Sequence, residues 1–297
     1  MSEVEIMNLL ENLKFSIGAA NISALRSARS DFKNLWDAEV KVYSQWGEDG
    51  ILDYLCDKAD ISKPKIVEIG AGQFTECNSR YICESRNASA VLIDMDPKLI
   101  ANIDASELKW KNHIFAIQEF VTSENANYLV ERGRILMGGL DILSLDIDGN
   151  DFWVMSQIDL RDIAIVIVEY NPLFGFKEPV TVPKDDYFDR KSKHFSWLYC
   201  GASLPAWVNY FRSKDFQFIG TNRVGNNAFF VNESLKIDWD FDLPSNLSKF
   251  TDWRIRESRD ANTEMNYFSN EQRVASISSL HVVRTDSGME RTVGEIQ

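Results

Sequence analysis

What this chain has little of already narrows what it can do. Cysteine is scarce: Cys56, Cys77, Cys83 and Cys200 form no C-x-x-C pair, and the three histidines, His113, His194 and His281, stand far apart. Neither a zinc site nor a disulfide scaffold is expected from that spacing. Cations are also short, with 32 Lys and Arg against 45 Asp and Glu and a formal net charge of -13. Phosphate contacts need clustered cations, so nucleic acid and anionic membrane are poor partners. No apolar run approaches the ~18 residues that span a bilayer. The N-terminus carries Glu3 and Glu5 and lacks the basic start and apolar core of a signal peptide. A cytoplasmic location is the expectation.

What is present is ample apolar material, 44% of 297 residues, enough for one large domain or two modest ones. Residues 1–43 show helical spacing at Ile6, Leu9, Leu10 and Leu13 and read as a helical extension packed ahead of the main domain. From Ser44 to 232 short apolar runs alternate with amphipathic segments. Strands are expected at 65–70, 89–95, 113–121, 140–147 and 163–170, and helices at 46–57, 78–86, from Pro97, at 124–133 after a Ser123 cap, at 151–158 and at 203–214. Several of these strands are apolar on both faces, which means a parallel sheet covered by helices, a three-layer α/β sandwich of Rossmann-like type. The strings "FQFIGTN" and "NNAFFVN", joined by a glycine turn, predict a closing antiparallel β-hairpin. Residues 233–297 are polar, acidic and weakly periodic, and read as an appended extension.

Ligands of open parallel sheets sit beyond the carboxyl ends of the strands. After the first strand, "KIVEIGAGQFTECNS" places Glu68, Gly70, Ala71 and Gly72 there. After the second come Asp94 and Met95, with Asp94 suited to the two hydroxyls of an adenosine ribose. A dinucleotide site wants G-x-G-x-x-G, yet position 75 is threonine and acidic Glu76 follows, so a nucleoside with a cationic centre fits better than NAD.

Near the end of the fourth strand, "SLDIDGNDFW" gathers Asp146, Asp148 and Asp151, and Glu169 ends the fifth. Acids that close together repel one another unless cations or donors accompany them. Two functional readings stand: a general base with orienting partners, or oxygen ligands (Asp146, Asp148, Asp151, Glu169) for a divalent metal such as Mg2+. A calcium loop is disfavoured because the glutamate its twelfth position needs is absent. The string "YSQWGEDG" admits a helix cap at Ser44, or Gln45 and Glu48 reaching the cofactor. Residues 171–202 form a long aromatic-rich connection, suited to a polar ring substrate such as a sugar, and His194 within it could serve as a base.

Together, "SQWGEDG", "VEIGAG", "LIDMDP", "LDIDGND", "VEYNPLFG", "GASL" and "GNNAFFV", spread from 44 to 232, resemble the FkbM-type branch of S-adenosylmethionine-dependent methyltransferases. That resemblance implies a seven-stranded class I methyltransferase sheet and methyl transfer to oxygen on sugars, glycans or related polar metabolites. It implies cofactor contacts at Glu68, Gly70, Gly72 and Asp94, with Asp146 near the methyl group. The expected partner is a small-molecule or glycan acceptor, and a homo-oligomer is left open. The alternatives are an NAD(P)-dependent Rossmann oxidoreductase and a non-catalytic nucleoside-binding module.

Overall fold

The computed structural model describes residues 3–254 and 257–297. Eight strands precede the C-terminal segment: β1 (Lys65–Ile69), β2 (Ser89–Asp94), β3 (Ile114–Gln118), β4 (Ile142–Leu145), β5 (Ile165–Glu169), β6 (Val180–Thr181), β7 (Phe216–Thr221) and β8 (Asn227–Asn232). Seven of them form one sheet in the order β3-β2-β1-β4-β5-β8-β7. Strands β1 to β5 run parallel, and β8 is antiparallel to both β5 and β7. Successive residues serve opposite faces. Val67, Ile69, Val91 and Ile93 join one core with the helices Ala126–Met137 and Leu204–Arg212. Ile66, Ala90 and Leu92 join the other with Glu48–Lys58, Arg80–Arg86 and Lys98–Ala105. This is the expected Rossmann-like sandwich, with the strand order and closing hairpin of the class I methyltransferase fold.

Local differences from the expected elements have physical causes. The Asp146 N–H bonds Ile69 O and the chain then turns, with Asp148 in the left-handed region at φ 58, so β4 stops at Leu145 rather than 147. Ser123 does not cap a helix: its N–H is taken by Asp186 Oδ1 at 2.9 Å, and the helix begins at Ala126 after Asn125.

The N-terminal helix Glu3–Ser27 forms as the spacing predicts, but Ile6, Leu9, Leu10 and Leu13 are not the residues that pack. Glu11, Phe15, Gly18 and Ile22 face the body instead. Glu11 pairs with Arg80 at 2.6 Å, Phe15 meets the Tyr81 ring, and Gly18 lies so near Val42 that a Cβ there would stand 2.3 Å from it. The connection 171–202 is not a bare loop either. Its Leu173, Phe174, Val180, Val182, Leu198 and Tyr199 share a core with Trp253, Ile277, Val282, Val293 and Ile296, and β6 pairs with the strand His281–Arg284. The connection and the C-terminal segment bury each other's apolar faces.

Candidate functional site

A cleft of about 350 Å³ lies beyond the carboxyl ends of β1 to β4. Its floor is the β1 turn, where Gly70 (φ 85) and Gly72 (φ 56) adopt backbone that side chains disfavour. A Cβ on Gly70 would stand 1.6 Å from the Asp146 carbonyl oxygen, so the β1 and β4 loops touch only because this residue has no side chain. Asp94 closes the end of β2: its Oδ2 accepts the Gly72 N–H at 2.7 Å and its Oδ1 the Asp96 N–H at 2.8 Å. Each oxygen keeps lone-pair capacity for a ligand hydroxyl. Met95 lines the cleft beside it and is 63% exposed.

Two residues expected at the cofactor lie behind the cleft. Ala71 is fully buried and absent from the lining. Glu68 is buried, and its carboxylate accepts the N–H groups of Asn78 at 2.7 Å and Ser79 at 2.9 Å, just ahead of the helix Arg80–Arg86. Burial raises its pKa, while the bonds from Ser79 and Asn78 oppose the rise. Its work is to fix the turn. The opposite wall was not foreseen: Glu119 and Phe120 follow β3, and Asp186 and Phe188 come from the connection. Glu119 donates its N–H to Asp94 O at 3.0 Å, and Phe120 stacks on Tyr187. The signal for Glu119 was an acid two residues past the apolar run "IFAI"; extending the strand to 121 hid it.

Asp146 and Asp148 also line a second chamber, of about 160 Å³, with Glu169. Carboxylate oxygens of these three lie within 4.8 Å of one another. Loss of hydration, then the neighbouring acids, raises the Asp146 and Glu169 pKa values well above the carboxylate range. Arg190 answers part of that charge, with its guanidinium 2.6 Å from Asp148. Asp151, expected among the acids at work, is withdrawn from them. Its Oδ1 accepts from Ile147 N and its Oδ2 from Gly149 N, both at 2.8 Å, and burial pushes its pKa to about 6. It holds the loop and lines neither cavity. Three carboxylates suit a hard divalent cation, but such an ion could draw only on Asp146, Asp148 and Glu169 and would compete with Arg190 for Asp148.

Gln45 and Trp46 reach the rim of this chamber. Glu48 does not, because Asn222 at 2.6 Å and Asn227 at 2.8 Å hold it against the closing hairpin. The cap position of the helix Glu48–Lys58 is Gly47 rather than Ser44, which lies three residues earlier and accepts the Asp49 N–H on its Oγ, while Asp49 Oδ2 accepts the N–H groups of Val42, Tyr43 and Ser44. His194 lines neither cavity; its Nδ1 lies 2.7 Å from Ser196 Oγ, which does, and burial lowers its pKa. Asn226, within the motif "GNNAFFV", also lines the chamber, whereas Trp253, Glu257 and Arg259 in its wall carried no motif. Arg259 pairs with Glu257 at 2.8 Å and covers the Trp197 ring at 4.5 Å.

No protein-family sequence model and no curated protein matches the chain. Among solved structures, TnmH aligns at 11% identity and a TM-score of 0.35, covering 61% of this chain and 57% of its own. TehB from Haemophilus influenzae aligns at 12% identity and 0.35, over 63% of this chain and 67% of its own. Coclaurine N-methyltransferase bound to N-methylheliamine and SAH aligns at 10% identity and 0.34, over 74% and 73%. The chain thus spans little more than half the length of TnmH and about two thirds of TehB.

Proposed function

We propose that the chain is an S-adenosylmethionine-dependent methyltransferase that methylates a hydroxyl oxygen of a sugar or similar polar acceptor. The observation that carries this reading is the charge of the cleft: its lining holds Asp94, Glu119, Asp146, Asp148 and Asp186 and, among the described residues, neither Lys nor Arg. Such a wall favours a nucleoside with a cationic centre and repels a pyrophosphate. The N–H groups ahead of the helix Arg80–Arg86, where a dinucleotide phosphate would be sought, already face Glu68. Both features disfavour an NAD(P)-dependent oxidoreductase. The volume falls within the roughly 300–1,000 Å³ usual for small-molecule sites.

Bound S-adenosylmethionine would supply an electrophilic methyl group; the chain aligns the acceptor and takes its proton. Asp94 would hold the ribose, and Gly70 and Gly72 leave room for it. The acceptor would occupy the second chamber, where Trp46, Trp197 and Trp253 offer apolar surface and the acids and Arg190 offer hydrogen bonds. Asp146 and Glu169, close together and raised in pKa by lost hydration and by neighbouring acids, are the candidate bases, and an ionised member takes the hydroxyl proton. Arg190 steadies the remaining charge. A second reading, a divalent ion on Asp146, Asp148 and Glu169, rests on their spacing. The motifs shared with FkbM-type enzymes support the same overall reading.

Calorimetry with S-adenosylmethionine, S-adenosylhomocysteine and NAD(P)H tests the cofactor. Binding of the first two is expected; binding of NAD(P)H alone would overturn the proposal. A methyl-transfer screen on nucleotide sugars, with and without EDTA, tests the rest. Turnover unaffected by EDTA is expected with Arg190 as countercharge, turnover lost in EDTA and restored by Mg2+ assigns the acids to a metal, and cofactor binding without any turnover points to the non-catalytic module.

A further inference from the structure

The helix Glu3–Ser27 has two apolar faces, and only one of them is used. The face toward the body carries Phe15, Gly18 and Ile22. Directly opposite, at successive spacings of four, three, four, three and four, run Ile6, Leu10, Leu13, Ile17, Ala20 and Ala24, all exposed. Leu10, Leu13 and Ile17 are 53%, 48% and 61% exposed, although isolated helix stripes of this kind normally face a core. Ile6, Leu13 and Ala20, and likewise Leu10, Ile17 and Ala24, recur every seven residues, the repeat of a coiled-coil seam. We propose that this seam is the dimerisation element of the chain and that its occupant is the same helix of a second copy, running antiparallel.

Three observations select a second copy. The first is size matching. With the two-fold axis at the level of Phe15, Leu13 faces Ile17 of the second copy at the centre, and outside that pair Leu10 faces Ala20 and Ile6 faces Ala24, so large side chains meet small ones toward both ends of the overlap. The second is charge. The positions flanking the seam are Met7, Leu9, Lys14, Ser16, Asn21 and Ser23, a single cation and no acid, in a chain of net charge -13. Two copies therefore approach here without the repulsion the rest of the surface would impose. The third is area: the stripe and its flanking Met7 and Leu9 offer roughly 500 Å² per copy, about 1,000 Å² in a symmetric pair, where specific interfaces begin. A bilayer surface would instead want a cationic rim, which this stripe lacks.

Sedimentation velocity over a concentration series decides the matter, with melting temperature as the check on folding. The parent protein should sediment as a dimer. The double variant Leu13→Glu with Ile17→Glu should sediment as a monomer and still melt cooperatively, at the temperature of the parent diluted to monomer, because within one chain both side chains face solvent. Asn12→Glu, exposed but off the seam, should remain dimeric. A parent protein monomeric throughout, a dimer that survives the double variant, or binding of the parent to phosphatidylcholine–phosphatidylglycerol vesicles that the double variant loses would each overturn the proposal.

Discussion

The cleft and the acid chamber share Asp146 and Asp148, yet they are assembled by opposite means. Most of the cleft consists of residues that directly follow β1 to β4, so the sheet itself sets its shape. The chamber takes Glu169 from the end of β5 and then borrows Gln45 and Trp46 from before β1, Arg190 and Trp197 from the connection, and Trp253, Glu257 and Arg259 from the C-terminal segment. The first geometry follows from strand register. The second depends on the shared core that packs the connection against the C-terminal segment. On the proposed function, the donor half of the reaction is therefore a property of the sheet and the acceptor half a property of its excursions.

The sharpest way to break this division is at the joint. Gly70→Ala would drive a Cβ into the Asp146 carbonyl at a backbone angle that alanine disfavours, and should cost about 3 kcal/mol or more. Denaturant unfolding would measure the loss, and S-adenosylhomocysteine affinity should fall with it; unchanged stability would mean that the two loops are not keyed together. Glu169→Gln acts on the chamber alone. Turnover should drop by roughly a hundredfold or more, while the dissociation constant of S-adenosylhomocysteine stays within about threefold. Equal losses in both would erase the distinction between donor and acceptor halves.

The smallest effect is thermodynamic. Burial raises the folded-state pKa of Glu169, so above its unfolded value of about 4.3 the unfolded chain gives up a proton that the folded protein retains. Stability from this group is complete below that value and declines as pH rises toward the raised one. Glu169→Gln removes the decline. The variant should melt a few degrees above the parent near pH 7.5 and level with it near pH 4. A variant that melts lower at neutral pH would show that the ionised carboxylate is paired rather than strained.

The strand ends were legible because periodicity and glycine act locally: Gly70, Gly72 and Asp94 stand where the alternation of strands and helices predicts, and the closing hairpin follows from its turn. Direction was harder to read than position. Glu68 and Asp151 have the right chemistry at the right strand ends, but both aim their carboxylates at backbone N–H groups, and which way a buried acid points depends on neighbours such as Asp148 in its left-handed turn. The same holds for the N-terminal helix, whose spacing was plain while the packed face was set by the Gly18 contact with Val42 and the Glu11 pair with Arg80. Arg190, Trp253 and Arg259 lay beyond reach because packing across large sequence separations, rather than any local pattern, brings them to the chamber.

Glu68, Asp94 and Asp151 have one more thing in common. Each holds the backbone of a strand-end loop through N–H groups that a ligand might otherwise have been asked to order. On the proposed function, a cleft set in this way charges little conformational entropy to an incoming nucleoside. On the same reading, these loops stand ready before a ligand arrives, and any closing over a bound nucleoside falls to the Asp186 and Phe188 wall that the connection supplies.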